Sequence, residues 1–170
     1  KFLKAGPGFG GSCFKKDILN LVYICNHYGL YEVASYWQKV IEINDWQQKR
    51  ISRLIVNKLF GTLSGKKISI LGFSFKANTN DTRESPSITV CKELLEEGAN
   101  LAIYDPRVSR KQIETDLKRY AFSNSNDLNQ EGSWSFSNSI SDSAVNSDAI
   151  LILTEWDEFA EINWGKISTI

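Results

Sequence analysis

Apolar residues at helical spacing dominate the first third of the chain. Residues 17–30 carry four such positions and a terminating glycine, which together predict a helix. These residues are Ile18, Leu21, Val22, Cys25 and Gly29. Asp17 falls in the first turn, where a carboxylate complements the helix dipole.

A longer helical pattern follows, from about Glu32 to about Phe60, and predicts a helix of roughly 40 Å. Its predicted apolar stripe is Val33, Trp37, Val40, Ile41, Asn44, Ile51, Ile55 and Leu59. Tyr36, Ile43 and Trp46 add apolar surface outside that stripe. Such a helix either touches two lobes of one molecule or forms a dimer interface. We favour a homodimer, with a higher oligomer also open.

From about residue 64 the pattern of apolar residues changes: strand-like apolar runs alternate with a helical pattern, as in an α/β protein. Residues 67–75, 101–106 and 146–156 read as strands, and residues 85–100 read as a helix. Ser85 is its predicted cap, Pro86 its first residue and Gly98 its end. Strand, helix and strand in this order predict a parallel pair.

The stretch from residue 123 to 143 is rich in Ser and Asn and reads as a loop or a weakly structured insertion. The tail from residue 159 predicts one or two helical turns. The predicted fold class is therefore α/β: a helical region with one long central helix, residues 1–63, precedes a Rossmann-like parallel-sheet domain, residues 64–170. At least one more strand is expected after it.

Composition fits a globular protein of 170 residues, with 42% hydrophobic and 24% charged residues. The net charge of zero gives no reason to expect nucleic acid or a membrane surface as a partner. Three widely spaced cysteines suit neither a metal site nor a disulfide framework, so reduced thiols and a cytoplasmic location are expected. The chain lacks methionine, opens within a motif and stops abruptly, and we expect a piece of a longer protein.

The opening stretch GFGGSCFKKD, residues 8–17, is the strongest chemical signal. Glycines let backbone N–H groups approach a ligand, and Cys13 follows at a predicted helix N-terminus. That position, with Lys16 one turn on, favours a nucleophilic thiolate. The alternative is a small residue that closes a turn. Cys25 and Cys91 lie on apolar helical stripes and are expected in the core.

The loop after the first strand lacks the GxGxxG pattern that holds a dinucleotide pyrophosphate. Lys76 and Arg83 lie in this loop, where they could bind the phosphates or carboxylates of a ligand. An equally supported interpretation is that both are solvated surface charges. Asp105 ends the second strand. It is either a ribose-binding carboxylate or, as we favour, the start of an Asp-Pro turn.

Four motifs together resemble the UDP-glucose 6-dehydrogenases of the UDP-glucose/GDP-mannose dehydrogenase family. They are FLKAGPGFGGSCFKKD, GFSFKANTNDTRESPS, IYDP and LTEWDEF, in the family's order and across nearly the whole chain. Relatives that oxidise UDP-N-acetylmannosamine or GDP-mannose are alternatives. A non-catalytic dimerising scaffold is another alternative, and so is a thiol acyltransferase, although His27 is badly placed to pair with Cys13.

The resemblance implies an NAD-dependent oxidation of UDP-glucose to UDP-glucuronate, in two hydride transfers, through a cysteine thiohemiacetal and thioester. The implied catalytic residues are Cys13, Lys16 and Asp17. The implied substrate contacts are Lys4, Ala5, Gly6, Pro7, Gly8, Phe9, Gly10, Phe75 and Lys76. The implied NAD contacts are Cys13, Phe14, Lys15, Lys16 and Arg83. No metal is implied. The family's N-terminal NAD domain is missing, so this chain alone is expected to be inactive.

Overall fold

The computed structural model of the chain describes residues 5–118 and 132–167. Two helices come first, α1 (Phe14–His27) and α2 (Tyr31–Lys58). Gly29 lies between them with a φ of +73°, a conformation that glycine adopts without steric cost. Both predicted helices are confirmed, and α1 begins three residues earlier than its apolar pattern indicates.

The rest of the described chain builds a parallel sheet with helices between its strands. The strands are β1 (Lys67–Leu71), β2 (Asn100–Tyr104), β3 (Ser133–Phe136) and β4 (Ala149–Ile152). The helices are α3 (Pro86–Glu96), α4 (Arg110–Asp116), α5 (Ile140–Ala144), α6 (Asp157–Ala160) and α7 (Trp164–Ile167). The predicted α/β class, with one long helix before a Rossmann-like sheet, is confirmed.

Within residues 5–118 and 132–167 the strand order is β3-β2-β1-β4, and every neighbouring pair is parallel. The chain runs outwards from β1 through β2 to β3, then crosses back to place β4 on the other side of β1. Parallel sheets bind ligands outside the carboxyl ends of their strands, where the strand order reverses. That position here is the end of β1 and β4.

Alternation along β1 divides the core into two layers. Ile68 and Ile70 lie in the main apolar core with α3, and both are fully buried. Ser69 faces the opposite side, where its hydroxyl lies 2.5 Å from the Ser143 hydroxyl of α5. Burial on both faces explains why β1 reads as a nearly continuous apolar run.

The buried face of α2 differs from the predicted apolar stripe. Val33 is 44% exposed, whereas Ile51, Ile55 and Leu59 pack, partly buried, against the main core as expected. The residues that α2 buries are Ala34, Ile41, Asn44, Gln48 and Ser52. Most of this face is polar because part of it contacts the backbone of the glycine loop rather than apolar side chains.

The expectation of a loop over residues 123–143 is wrong for part of that range. Residues 133–136 form β3 at the edge of the sheet, and residues 140–144 form α5; residues 123–131 lie outside the described part of the chain. Trp134 is buried and Phe136 partly buried, alternating with serines. That period of two is a strand signal, outweighed by the serine and asparagine content around it.

Helix α3 and the strands beside it match the sequence closely. The Ser85 hydroxyl accepts a hydrogen bond from the Ser87 N–H, Pro86 is the first helical residue, and Gly98 follows the end with a φ of +82°. Strand β1 is shorter than predicted: it ends at Leu71, and Gly72 turns the chain with a φ of +93°.

Candidate active site

Cys13 immediately precedes α1, at the end of the glycine loop, residues 5–12; its side chain is exposed and makes no capping hydrogen bond. The Asp17 N–H donates to the Cys13 carbonyl at 2.8 Å, which is the first hydrogen bond of the helix. The Ser12 hydroxyl lies 3.5 Å from the Cys13 sulfur. An exposed thiol at a helix N-terminus is well placed for nucleophilic attack on a bound substrate.

The glycine loop packs against the loop that follows β1. The Gly11 N–H donates to the Arg83 carbonyl at 2.8 Å. A β-carbon at Gly10 would lie 2.2 Å from the Glu84 carbonyl oxygen, and one at Gly11 would lie 2.9 Å from the Phe75 ring. These glycines are therefore required by close approach, which brings Cys13 beside the second predicted motif.

Phe75, Lys76 and Arg83, which the sequence singled out, all lie in this β1–α3 loop at the switch point of the sheet. The Lys76 ammonium lies 5.3 Å from the centroid of the Phe75 ring. Arg83 is exposed, and its backbone carbonyl accepts the hydrogen bond from Gly11, two residues before Cys13. The structure thus brings residues about 70 positions apart into one site.

Asp81 orients Arg83. The Arg83 Nη2 lies 2.7 Å from Asp81 Oδ2, and its Nε lies 2.9 Å from Asp81 Oδ1. These hydrogen bonds lower the pKa of Asp81 and raise the pKa of Arg83. Since Asp81 titrates below its usual range, the pair is fully charged near neutral pH and is lost only as pH falls through the acidic range.

The first turn of α1 supplies further charges. The Lys15 ammonium lies 2.9 Å from Glu84 Oε2, and this hydrogen bond raises the pKa of Lys15. Lys16 and Asp17 are exposed on the same turn. Phe14 packs edge-on against Phe9, with ring centroids 4.7 Å apart.

Of the other predicted substrate contacts, Lys4 lies outside the described residues. Ala5 and Gly6 are exposed, while Pro7 and Gly8 are half-buried. The Gln47 amide of α2 donates to the Gly6 carbonyl at 3.0 Å. The whole described part of the loop therefore leads towards Cys13 along the surface of α2.

Asp105 is a structural carboxylate, as the Asp-Pro reading favoured. It is buried, and its oxygens accept hydrogen bonds from the backbone N–H groups of Phe73, Ser74, Arg107 and Val108 and from the Trp156 indole. Six donors, with the Ser74 hydroxyl, leave it no free lone pair aimed at a ribose.

The sequence did not predict two features of the site, the conformation of Glu84 and the hydrogen bonds of Asn44. Glu84 has a φ of +53°, a strained conformation for a residue with a side chain, and this places its carbonyl against Gly10. Asn44 of α2 hydrogen-bonds both backbone groups of Phe9. The position of Asn44, an amide inside an apolar helical stripe, could have indicated its role. No feature of the sequence indicates the role of Glu84.

Other kinds of site have little support in residues 5–118 and 132–167. No group of three or more His, Cys, Asp and Glu side chains converges there as a metal ion requires. Across the same residues, no helix has both the length and the apolar character needed to cross a membrane.

The fold and the site define an α/β protein of the Rossmann-like class, in which a helical region presents a cysteine to the switch point of a parallel sheet. Two family profiles cover most of the chain. The UDP binding domain of the UDP-glucose/GDP-mannose dehydrogenase family matches residues 69–170, and the central domain of the same family matches residues 1–46. The chain belongs to the UDP-glucose/GDP-mannose dehydrogenase family.

Individual relatives agree with this assignment. The chain is 51% identical over 168 residues to a UDP-glucose 6-dehydrogenase of Drosophila melanogaster, covering 98% of this chain and 35% of the relative. It is 49% identical over 174 residues to UDP-glucose 6-dehydrogenase 4 of Arabidopsis thaliana, covering 98% of this chain and 36% of the relative. The chain thus spans about a third of the length of these curated relatives.

The fold is similar to that of a UDP-glucose dehydrogenase from the hyperthermophilic archaeon Pyrobaculum islandicum. The two superpose with a TM-score of 0.75 at 28% sequence identity, over 94% of this chain and 33% of the other.

Proposed function

We propose that the chain is the central and UDP-binding part of an NAD-dependent UDP-glucose 6-dehydrogenase, which oxidises UDP-glucose to UDP-glucuronate. The observation that carries this proposal is the exposed Cys13 at the start of α1, packed through Gly11 onto the Arg83 backbone. Relatives of about 50% identity that carry this enzyme name support the choice of sugar nucleotide.

In this reaction Cys13 is the nucleophile. The 6-hydroxyl carbon is first oxidised to an aldehyde, with loss of a hydride and a proton. The Cys13 thiol then adds to the aldehyde, its sulfur to the carbon and its proton to the oxygen, to give a thiohemiacetal. Loss of a second hydride and of the hydroxyl proton leaves a thioester. Water attacks the thioester carbonyl, the carbon–sulfur bond breaks, and the carboxylate leaves with regeneration of the thiol. Asp17, one turn along α1, is proposed to assist the water step.

The sugar nucleotide is proposed to lie between the glycine loop and the β1–α3 loop. Lys4 to Gly10 would contact it from one side, with Phe9 and Gly10 nearest, and Phe75 and Lys76 from the other. Their location at the switch point supports this placement, since ligands of parallel sheets bind there.

NAD would supply the hydride acceptor for both oxidations. Five residues of this chain are proposed to border it: Cys13, Phe14, Lys15, Lys16 and Arg83. The cationic groups among them suit an anionic dinucleotide, and Arg83 is exposed while Asp81 fixes its orientation. Because the chain spans a third of its relatives, most of an NAD site would lie elsewhere in the full-length protein.

We propose a homodimer formed through α2, with the possibility of a higher oligomer. The supporting observation is a set of exposed apolar side chains on α2, where Tyr36 is 66%, Ile43 65% and Leu54 50% exposed. These residues lie two positions beyond buried Ala34, Ile41 and Ser52, hence on the opposite side of the helix. A cytoplasmic location is also proposed, in keeping with three free thiols.

The function is tested by replacing Cys13 with Ser in the full-length protein. We expect wild type to form two NADH and one UDP-glucuronate per UDP-glucose, and Cys13→Ser to lose steady turnover by at least ~10³-fold. The matched control is Cys91→Ser, which changes a fully buried thiol of the main apolar core. Unchanged product formation by Cys13→Ser would exclude a covalent cysteine intermediate.

Substrate choice is tested separately by calorimetric titration of the full-length protein. UDP-glucose is expected to bind more tightly than UDP-N-acetylmannosamine or GDP-mannose. Tighter binding of either competitor would move the assignment to that member of the family. The chain by itself is expected to produce no NADH.

A further inference from the structure

The side-chain amide of Asn44 makes a two-point contact with the glycine loop. The Phe9 N–H donates to Asn44 Oδ1 at 2.8 Å, and Asn44 Nδ2 donates to the Phe9 carbonyl at 3.1 Å. Asn44 lies in the middle of α2 and is only 5% exposed. Both hydrogen-bonding functions of the amide are thus used on one backbone residue, as in pairing between strands.

Gly8 of the same loop also lies in close steric contact with α2. A β-carbon at Gly8 would lie 2.8 Å from Asn44 Oδ1 and 3.1 Å from Gln48 Cγ. The loop therefore lies directly on the surface of α2 and cannot move closer to it. The pair of hydrogen bonds prevents it from moving away or sliding along the helix.

Two further contacts connect the Phe9 segment of the loop to the region of Cys13. The Phe9 ring packs against Phe14, the first residue of α1, with centroids 4.7 Å apart. On the other side of Gly10, the Gly11 N–H is bound to the Arg83 carbonyl. The loop is thus fixed at Phe9 by the helical region and at Gly11 by the α/β domain, two residues before the cysteine.

We propose that Asn44 is a positioning residue, which sets the register of the glycine loop so that the Cys13 sulfur meets the oxidised sugar carbon. The proposal rests on the dehydrogenase function given above. Asn44 touches no reacting atom in this proposal; it acts through the Phe9 backbone. Displacement of a reacting group by about 1 Å can lower a rate about 100-fold, so a loosened loop reduces turnover more than affinity.

The test compares Asn44→Ala, Asn44→Asp and the control Gln38→Ala in the full-length protein. Gln38 is half-buried on the same helix, and its side-chain amide forms no hydrogen bond with the residues that the structure describes. We expect Asn44→Ala to lower kcat about 10- to 100-fold. The affinity for UDP alone should fall less than kcat, because Asn44 acts through the Phe9 backbone and has no proposed contact with the nucleotide. Gln38→Ala should retain kcat.

Amide hydrogen exchange of the peptide that contains Phe9 gives a readout independent of activity. The Phe9 N–H should exchange faster in Asn44→Ala, because its acceptor is lost. Asn44→Asp keeps an acceptor for that N–H but loses the donor to the carbonyl. It should protect Phe9 better than alanine and give an intermediate kcat.

The outcomes separate the two proposals. If wild type does not turn over UDP-glucose with NAD, the dehydrogenase function fails, and the exchange rates still report whether Asn44 holds the loop. If wild type is active but Asn44→Ala keeps its kcat, or if Phe9 exchange is unchanged, the positioning role is refuted. A variant that loses UDP affinity and kcat in equal measure also refutes it.

Discussion

At the scale of single residues, the site depends on glycines at which a side chain would force the backbone to shift. Gly10 and Gly11 let two loops approach until the backbone of one contacts the backbone of the other. The strained Glu84 lies at this contact, which indicates that the surrounding structure determines its conformation.

Replacement of Gly10 by Ala should separate the two loops. The new methyl would lie 2.2 Å from the Glu84 carbonyl oxygen, so backbone must shift at a cost of about 1–3 kcal/mol. Denaturant unfolding of Gly10→Ala should show this loss. The control is Gly6→Ala, whose β-carbon would have no neighbour within 4 Å. Equal free energies of unfolding for the two variants would contradict the close approach.

The three thiols should differ in their reaction with an alkylating agent. Cys13 is exposed, whereas Cys25 and Cys91 are buried, and burial raises the pKa of the Cys91 thiol. A buried thiol that resists ionisation reacts slowly. Mass spectrometry of peptides from the folded chain should therefore find Cys13 labelled first, and labelling should equalise in denaturant. Equal labelling in the folded state would refute this order.

At the scale of elements, one carboxylate joins the ends of three strands. Asp105 follows β2 and binds the backbone after β1 through Phe73 and Ser74 and the segment after β4 through Trp156. The Thr154 hydroxyl also donates to the Ser74 carbonyl at 2.7 Å. Hydrogen bonds thus join the segments that follow β1, β2 and β4 at the switch point, next to the predicted ligand contacts.

Loss of this carboxylate should destabilise the α/β domain. Asp105→Ala leaves several buried donors without an acceptor, and each such group costs about 1–3 kcal/mol. We expect at least ~3 kcal/mol less free energy of unfolding, measured by urea denaturation. Asp45→Ala, a change at an exposed aspartate of α2, is the control and should cost little. A small effect at Asp105 would show that water replaces its hydrogen bonds.

At the scale of the whole molecule, α2 contacts both the glycine loop and the α/β core. Its second half packs on the α/β core through Ile51 and Ile55, and its middle contacts the glycine loop through Asn44. Its opposite side exposes Tyr36, Ile43 and Leu54. We propose a boundary between residues 63 and 64, with α2 in the helical region but packed on both parts.

The proposed dimer should dissociate when that exposed face is charged. Ile43→Glu together with Leu54→Glu places two carboxylates where a partner would bury side chains, which opposes association. Light scattering of the full-length protein should show a smaller assembly than wild type. Gln38→Glu adds a charge on another side of α2 and should leave the mass unchanged. If the double variant keeps the wild-type mass, the interface lies elsewhere.

The sequence by itself determined α1, α2 and α3, three of the four described strands and the candidate residues, but neither α4 nor α5. Helical periodicity, the Ser85-Pro86 start of α3 and the apolar run of β1 are local signals, because short-range backbone and side-chain preferences produce them. Cys13, Lys76 and Arg83 could likewise be selected from residue type and motif. Edge strand β3 was missed, since its apolar residues are few and polar residues surround them.

Only the tertiary structure decided which of these residues meet. The contact of Gly11 with Arg83, the hydrogen bonds that Asp105 accepts from Phe73, Ser74 and Trp156, and those between Asn44 and Phe9 all join segments more than 20 residues apart. Such contacts depend on the relative placement of packed elements, and local preference carries no information about that placement. The role of a polar residue in an apolar helical stripe, such as Asn44, becomes clear only when the backbone group that it binds is known.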